Sequence, residues 1–267
     1  MQTRPQLACF AFDLITLYIH LDGRYEDEEL TFLEQHIFPQ LASRRLCLDI
    51  GANIGNHAVA FAPHFERVIA FEPHPRTFAL LSLNAGLADN ITALNFGASD
   101  AAATIRVAQD PLNIAATSVG SALRPGAQIA FDLRRLDDVA EVTGAGEIGF
   151  VKIDVEGHER EALAGAAGLL SRDGPVIAME VLKSDVADGA TPAMNLLRDL
   201  GYRHFYELRP GGRFGILPRP IYKLGRALVS LVTGRRPAKA LRMREITRLE
   251  PRSYLMLICA KSPLRIP

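Results

Sequence analysis

Residues 150–159 read FVKIDVEGHE, and a second apolar run, VIAMEV, carries Glu180 near its end. Charge inside a core is costly unless it is paired or used. Strand alternation sets Val151, Ile153 and Val155 on one face and Lys152 and Asp154 on the other, so Asp154 stands at the strand's exit. Gly157 lets the next turn come close to a ligand. Carboxylates gathered there could take a proton from a hydroxyl, with Asp154 or Glu156 as the base and Glu180 fixing the substrate. Asp154, Glu156 and Glu180 could also surround Mg²⁺ or Ca²⁺, which take oxygen ligands and activate hydroxyls; the metal-free arrangement is the leading reading. His158 is a further base candidate, its ordinary pKa being about 6.5, against a plain solvent-facing place in a first helical turn. Glu159 and Glu161 need no role beyond the favourable end of a helix dipole. Lys152 is expected to lay its stem along the core and pair its tip with a neighbouring acid.

A second constellation lies upstream. LCLDIGANIGNH (46–57) is strand, tight turn and helix start, with the spacing Asp49-x-Gly51-x-Asn53-x-Gly55. The glycines allow a sharp turn and close approach to a ligand, and the helix start offers free N–H groups. Asn53 stands where the dinucleotide fingerprint has its second glycine. An acid ahead of the loop suits a ligand bearing a positive amine and would repel a pyrophosphate. FEPHP (71–75) puts Glu72 at the carboxyl end of the next strand, where an acid accepts from ribose hydroxyls. NFGASD (95–100) ends a third strand, where a backbone N–H and the side chains of Ser99 or Asp100 could meet an adenine edge. Ribose, adenine and a cationic amino acid together describe S-adenosylmethionine (SAM). The plainer alternative is that Asp49 and Glu72 only cap strand ends.

Positioning these residues needs an α/β scaffold. From position 46 short apolar runs alternate with helical stretches, the mark of a mostly parallel sheet. Strands are expected at 46–50, 67–72, 91–98, 148–155, 175–181, 202–208 and 253–260, and helices near 54–63, 76–87, 158–170 and 190–200. Residues 104–133 break the rhythm and are expected to form a hairpin or lid. The architecture implied is a Rossmann-like, doubly wound, seven-stranded sheet whose last strand runs antiparallel.

These segments resemble the class I SAM-dependent methyltransferases of the FkbM family. The matching stretches are LDIGANIGNH, AFEPHP, NFGASD, LDDV (136–139) and FVKIDVEGHEREALAGA (150–166), while DGRYEDEE (22–29) resembles the G-x-Y-E stretch that precedes such domains. The resemblance spans roughly residues 20–208. It implies O-methylation, often of sugar hydroxyls or natural-product scaffolds. It also places Asp49, Gly51, Asn53 and Gly55 along the methionine part of the cofactor, Glu72 on the ribose, and Ala98, Ser99 and Asp100 near the adenine. Tyr25 and Glu26 would close the pocket from the N-terminal side, with an ordinary surface helix start as the alternative.

The 267 residues carry no net charge, but the balance is uneven. Residues 209–248 hold eleven Lys/Arg against Glu245, so the first 208 residues are strongly acidic. Within 213–248, Ile221, Leu224, Leu228, Leu231 and Val232 share one helical face. An inserted helix capping the cleft is the leading reading. The functional alternatives are contact with an anionic membrane surface or capture of an anionic acceptor. Nucleic acid is disfavoured by the acidic body. The division expected is a helical lead-in over 1–45, a cofactor-binding core over 46–208, a basic insertion or cap over 209–250, and a last strand and tail over 251–267. Cys9, Cys47 and Cys259 have no metal-ligand spacing, the latter two reading as small core residues. The apolar run at 7–20 contains Asp13 and matches neither a signal peptide nor a spanning helix. A cytoplasmic protein is expected, with peripheral membrane association as the alternative. The acceptor is read as a small molecule or glycan. Two other functions stay open at this point: an NAD-dependent oxidoreductase on a similar fold, disfavoured by Asp49 and Asn53, and a non-catalytic SAM-binding or membrane-associated interaction protein.

Overall fold

The computed structural model describes residues 6–11, 13–108, 128–210 and 241–267. The chain enters through α1 (Leu14–Asp22) and α2 (Asp27–Phe32), followed by single turns of π and 3₁₀ helix that end at Gln40. The core then alternates β1 (Leu46–Ile50), α3 (Asn56–Phe61), β2 (Arg67–Phe71), α4 (Pro75–Ala85) and β3 (Ile91–Leu94). A second group, β4 (Gly97–Ala98), β5 (Ala103–Ala108) and β6 (Gln128–Arg134), precedes the short α5 (Ala140–Thr143). The remainder is β7 (Ile148–Ile153), α6 (Glu159–Ala164), α7 (Ala167–Asp173), β8 (Val176–Val181), α8 (Pro192–Asp199), β9 (His204–Pro210), β10 (Leu241–Ile246) and β11 (Tyr254–Ala260).

Among the described residues the main sheet has eight strands in the order β10-β9-β11-β8-β7-β1-β2-β3. β1 pairs in parallel with both β2 and β7, so the strand order reverses at β1. Ligands of open α/β sheets bind outside the carboxyl ends of the strands at such a point. The expected antiparallel final strand is β11, set between β8 and β9. Strands buried on both faces read as near-continuous apolar runs, and β1 and β7 are buried throughout. Leu48, Val151 and Ile153 pack on the face covered by α6 and α8. Cys47 and Phe150 pack on the other, where Phe38 from the lead-in meets the rings of Phe61, Phe65 and Phe150 at 5.1–5.6 Å.

Three elements differ from expectation. An eighth strand, β10, lies within the stretch read as an insertion or cap. Its LRMREI alternates, with Met243 buried while Arg242 and Arg244 are exposed, and charges on an edge strand discourage further pairing. The run at 91–98 is two strands. Asn95 donates to the Glu72 and Pro73 carbonyls, at 2.8 and 3.3 Å, and β4 leaves to pair with β6. The helix expected at 158–170 breaks at Gly165, where a Cβ would sit 1.8 Å from the Ser99 carbonyl oxygen. The hairpin is present as β5 paired antiparallel with β6, while residues 109–127 lie outside the described residues. The amphipathic stripe and most of the basic stretch, residues 211–240, also lie outside them. No helix among the described residues is long and apolar enough to cross a membrane.

Candidate active site

The glycine turn closes over the carboxyl ends of β1 and β7. Gly51 has φ +78°, and a Cβ there would lie 1.8 Å from the Asp154 carbonyl oxygen, so only glycine fits. The N–H groups of Gly51 and Ala52 both donate to the Phe71 carbonyl, at 3.0 and 2.9 Å, which ties the turn to β2. Asn53 takes φ +51°, and its side-chain oxygen accepts from the Ile54 N–H at 2.8 Å. Gly55 has φ +86° and packs against Leu81. Asn84 of α4 reaches back to the Ile54 carbonyl at 2.7 Å and exchanges two hydrogen bonds with the Ala8 backbone.

A cleft of about 730 Å³, open to solvent, runs from this turn along the strand ends. Glu72 is 8 % exposed on its wall. One carboxylate oxygen accepts from the Asn53 N–H at 3.0 Å and the other from the His74 N–H at 2.8 Å. Burial pushes its carboxyl up to about 7, against the pull of those two donors. His74 is the N-cap of α4, its Nδ1 accepting from the Arg76 and Thr77 N–H groups at 3.2 and 3.4 Å. Opposite, Gly97, Ala98, Phe131 and Leu133 form an apolar flank.

At the other end of the cleft stand Asp154, Val155, Glu156 and His158. Lys152 is almost fully buried, and its Nζ lies 2.9 Å from Asp154 Oδ2. Burial disfavours its charge, but Asp154, Asp49 and Glu26 outweigh that and hold it protonated. Burial also works against ionised Asp154, yet Lys152 brings its pKa below the ordinary value, with help from Glu180 and His57. Glu180 is pushed the other way, to about 9, by burial and by the negative Asp154 it bonds to. One proton is thus shared across the pair, with Asp154 the ionised member. Glu156, at φ +54° on the turn, is raised by burial and by the Asp154 charge. Oxygens of Asp154, Glu156 and Glu180 lie within 4.8 Å of one another, close enough to hold one cation.

Asp49 is fully buried behind the turn and does not line the cleft. Burial raises its pKa, and the charges of Lys152 and His57 oppose that. Glu26 pairs with His57 at 3.2 Å, both nearly buried. Tyr25 exchanges two 3.0 Å hydrogen bonds through its backbone with Asn56. Burial raises the Tyr25 hydroxyl, and the nearby charges of Glu26, Asp154 and Glu180 add to it.

The sequence-derived residues therefore divide. Gly51, Asn53, Glu72, Ala98, Asp154, Glu156 and His158 line one cleft, and Glu180 joins it through Asp154. Gly55 shapes the turn from beneath. Ser99 faces His158, its Oγ 3.0 Å from Nε2, and Asp100 is exposed beyond it. His158 is held between Ser99 and Glu161, 3.6 Å from its Nδ1, and does not take the solvent-facing place that was the alternative to a base role. Glu159 accepts from the Val155 and Gly157 N–H groups and fixes the turn. Sequence reasoning passed over His74, Thr77, Phe131 and Leu133, which also line the cleft. FEPHP held the first of these in plain view, and the alternation of QIAFDL sets Phe131 and Leu133 on one face.

A family profile described as the methyltransferase FkbM domain matches residues 49–204, more than half of the chain. The hexuronic acid methyltransferase AglP of Haloferax volcanii is 33% identical over 123 residues, which are 46% of this chain. The chain spans about half the length of that relative, 50% of it being covered. Among solved structures, a methyltransferase FkbM from Methylobacillus flagellatus matches at TM-score 0.41 and 19% identity, over 77% of this chain and 53% of that one. The magnesium protoporphyrin IX methyltransferase of Synechocystis, solved with bound SAM, matches at TM-score 0.45 and 11% identity, over 96% and 87%. The profile match starts at the buried acid of β1, takes in the Glu72 turn and the acidic exit of β7, and ends at the first residue of β9. The chain belongs to the FkbM family of methyltransferases.

Proposed function

We propose that this chain transfers the methyl group of SAM to a hydroxyl of a sugar or glycan, with hexuronic acid units as the leading acceptor class. The observation that carries the proposal is the continuity of one cleft from Glu72 to Asp154, with oxygens of Asp154, Glu156 and Glu180 gathered within 4.8 Å of one another at its far end. The residues fit the cofactor. Glu72, aimed by two backbone N–H groups, would accept from the ribose hydroxyls, and Ala98, Phe131 and Leu133 would flank the purine. Asp49 is assigned a supporting part behind the glycine turn, where its negative charge favours a cationic methionine moiety.

SAM supplies a methyl group already activated on a sulfonium. The protein must hold the acceptor oxygen in line and remove its proton. Asp154 takes that proton as the new O–CH₃ bond forms and the C–S bond breaks. A carboxylate of depressed basicity suffices, because a hydroxyl oxygen becomes strongly acidic once it carries the incoming methyl. Glu180, protonated beside it, orients the pair, and Lys152 offsets its charge. His158 and Glu156 border the transfer end as positioning groups. Beyond Glu180 a second cavity is lined by Gly157, Arg160, Glu161, Ser184, Asp185 and Thr191, with Arg160 paired to Glu161 at 3.4 Å, and its polar lining supports a polyhydroxylated acceptor. The metal-free mechanism is preferred over a cation held by Asp154, Glu156 and Glu180, since Lys152 already compensates Asp154.

The test is transfer of labelled methyl from SAM to a methyl glucuronoside, a methyl glucoside and glycerol, each with and without a strong chelator. Label in an O-methyl ether of the glucuronoside, unaffected by chelator, is expected. SAM binding without label in any sugar would overturn the acceptor assignment. Activity lost to chelator and restored by Mg²⁺ would overturn the metal-free mechanism.

A further inference from the structure

His74 is an odd choice for a helix cap. Ser, Thr, Asp and Asn lead at the N-cap because one short oxygen acceptor is all the first turn requires. His74 satisfies α4 with Nδ1, which takes the Arg76 and Thr77 N–H groups. Its backbone N–H is also committed, to Glu72. The far side of the ring is surplus to the helix.

Accepting at Nδ1 fixes the neutral tautomer with hydrogen on Nε2, so that atom is a donor. The residue is 3 % exposed, and Nε2 is buried without a hydrogen-bond partner among the described residues. A buried donor left unmet is costly, and such atoms in folded proteins are nearly always matched. The ring stands on the cleft wall beside Glu72, and its only described aromatic neighbour is Phe131, at 6.0 Å and 70°. That ring carries no lone pair. Among the described residues nothing offers that acceptor, and a ligand seated in the cleft between Glu72 and the apolar flank would bring one.

We infer that His74 Nε2–H is a recognition donor for the adenosine half of the cofactor, bonding a lone pair on a purine ring nitrogen or a ribose oxygen. The inference rests on the proposal that this cleft binds SAM. It gives one residue two separable duties: Nδ1 starts helix α4, and Nε2 reads the ligand. The backbone N–H of His74 meanwhile holds Glu72, so the ribose acid and the proposed donor are set by the same turn.

The two duties divide by substitution. Asn places its side-chain oxygen near the Nδ1 position and is a good cap, but has nothing at Nε2. Gln reaches the Nε2 position with an amide N–H and caps poorly. His74→Asn should keep the thermal midpoint near wild type while weakening S-adenosylhomocysteine about tenfold by calorimetry, the scale of one lost buried hydrogen bond. His74→Gln should lower the midpoint and retain most of the affinity. Three analogues locate the acceptor: 3-deaza- and 7-deaza-S-adenosylhomocysteine remove one purine ring nitrogen each, and the 3′-deoxy analogue removes a ribose oxygen. One of them should bind wild type about tenfold more weakly, and should lose nothing further against His74→Asn.

Wild-type affinity in a folded His74→Asn protein would overturn the role of His74 and leave the cofactor proposal standing. Equal weakening of all three analogues in both proteins would do the same. Failure of the wild-type protein to bind S-adenosylhomocysteine or SAM would overturn both.

Discussion

At the end of the cleft proposed for adenosine, Glu72 is aimed by N–H groups of His74 and Asn53, from the strand exit and the neighbouring glycine turn. At the proposed transfer end, Asp154 is held from separate segments: by the charges of Lys152 beside it in β7 and His57 on α3, and by a hydrogen bond from Glu180 on β8. The first arrangement is backbone geometry, closed within two successive strand–turn–helix units. The second is a balance of charges across the sheet, where Asp49, Glu26 and Asp154 share one buried cation. A turn is specified by the few residues that make it. A charge balance exists only once the strands are paired, so a change at one member redistributes protons among the rest.

The sharpest way to separate the two ends is Asp154→Asn. The amide preserves shape and removes the proposed proton acceptor. Turnover should fall about a hundred- to ten-thousandfold, the range for losing a positioned acid or base, while calorimetry shows S-adenosylhomocysteine affinity within about twofold of wild type. Comparable losses of turnover and affinity would mean that the ends are not separable.

Lys152→Met tests the charge balance itself. Met keeps much of the stem's volume, but Asp154, Asp49 and Glu26 lose their common cation. Breaking a buried pair by removing one partner costs about 3–5 kcal/mol, and urea denaturation should show a loss of that size. A loss under about 1 kcal/mol, typical of an exposed pair, would show that the acids discharge by taking up protons at no structural cost.

The same division explains what could be read from the sequence. Gly51, Asn53 and Glu72 were legible because tight turns and strand ends have local residue requirements, and the alternating pattern of the core placed them at one edge. Lys152 was legible as a paired core residue, since a lysine within FVKIDV has few other ways to be buried. The inverse shifts of Asp154 and Glu180 were not, because they depend on β7 lying beside β8. Nor was the seat of His158 against Ser99, which needs β4 to leave the main sheet and approach α6. β10 was hidden by composition: its arginines read as part of a basic insertion, while the alternation that makes it a strand spans only six residues.

The smallest expected effect belongs to the adenosine end and reverses the usual behaviour of a carboxylate. Glu72 without ligand titrates near pH 7, since burial opposes its charge and the Asp49 and Asp154 charges add to that, against the two N–H donors. The proposed acceptance from both ribose hydroxyls calls for the ionised form, so binding below that pH must first release a proton. The sign follows: cofactor affinity rises with pH through about 7 and levels off above it. One unit below the pKa the loss is about tenfold, equivalent to ~1.4 kcal/mol, so S-adenosylhomocysteine should bind about tenfold more weakly at pH 6 than at pH 8. Glu72→Gln carries no titrating group and should bind weakly with no slope in that window. A slope persisting in Glu72→Gln would assign the titration to another cleft residue. A flat wild-type profile would mean that Asn53 and His74 hold the carboxylate ionised unaided, and that the backbone turn outweighs burial at this end of the cleft.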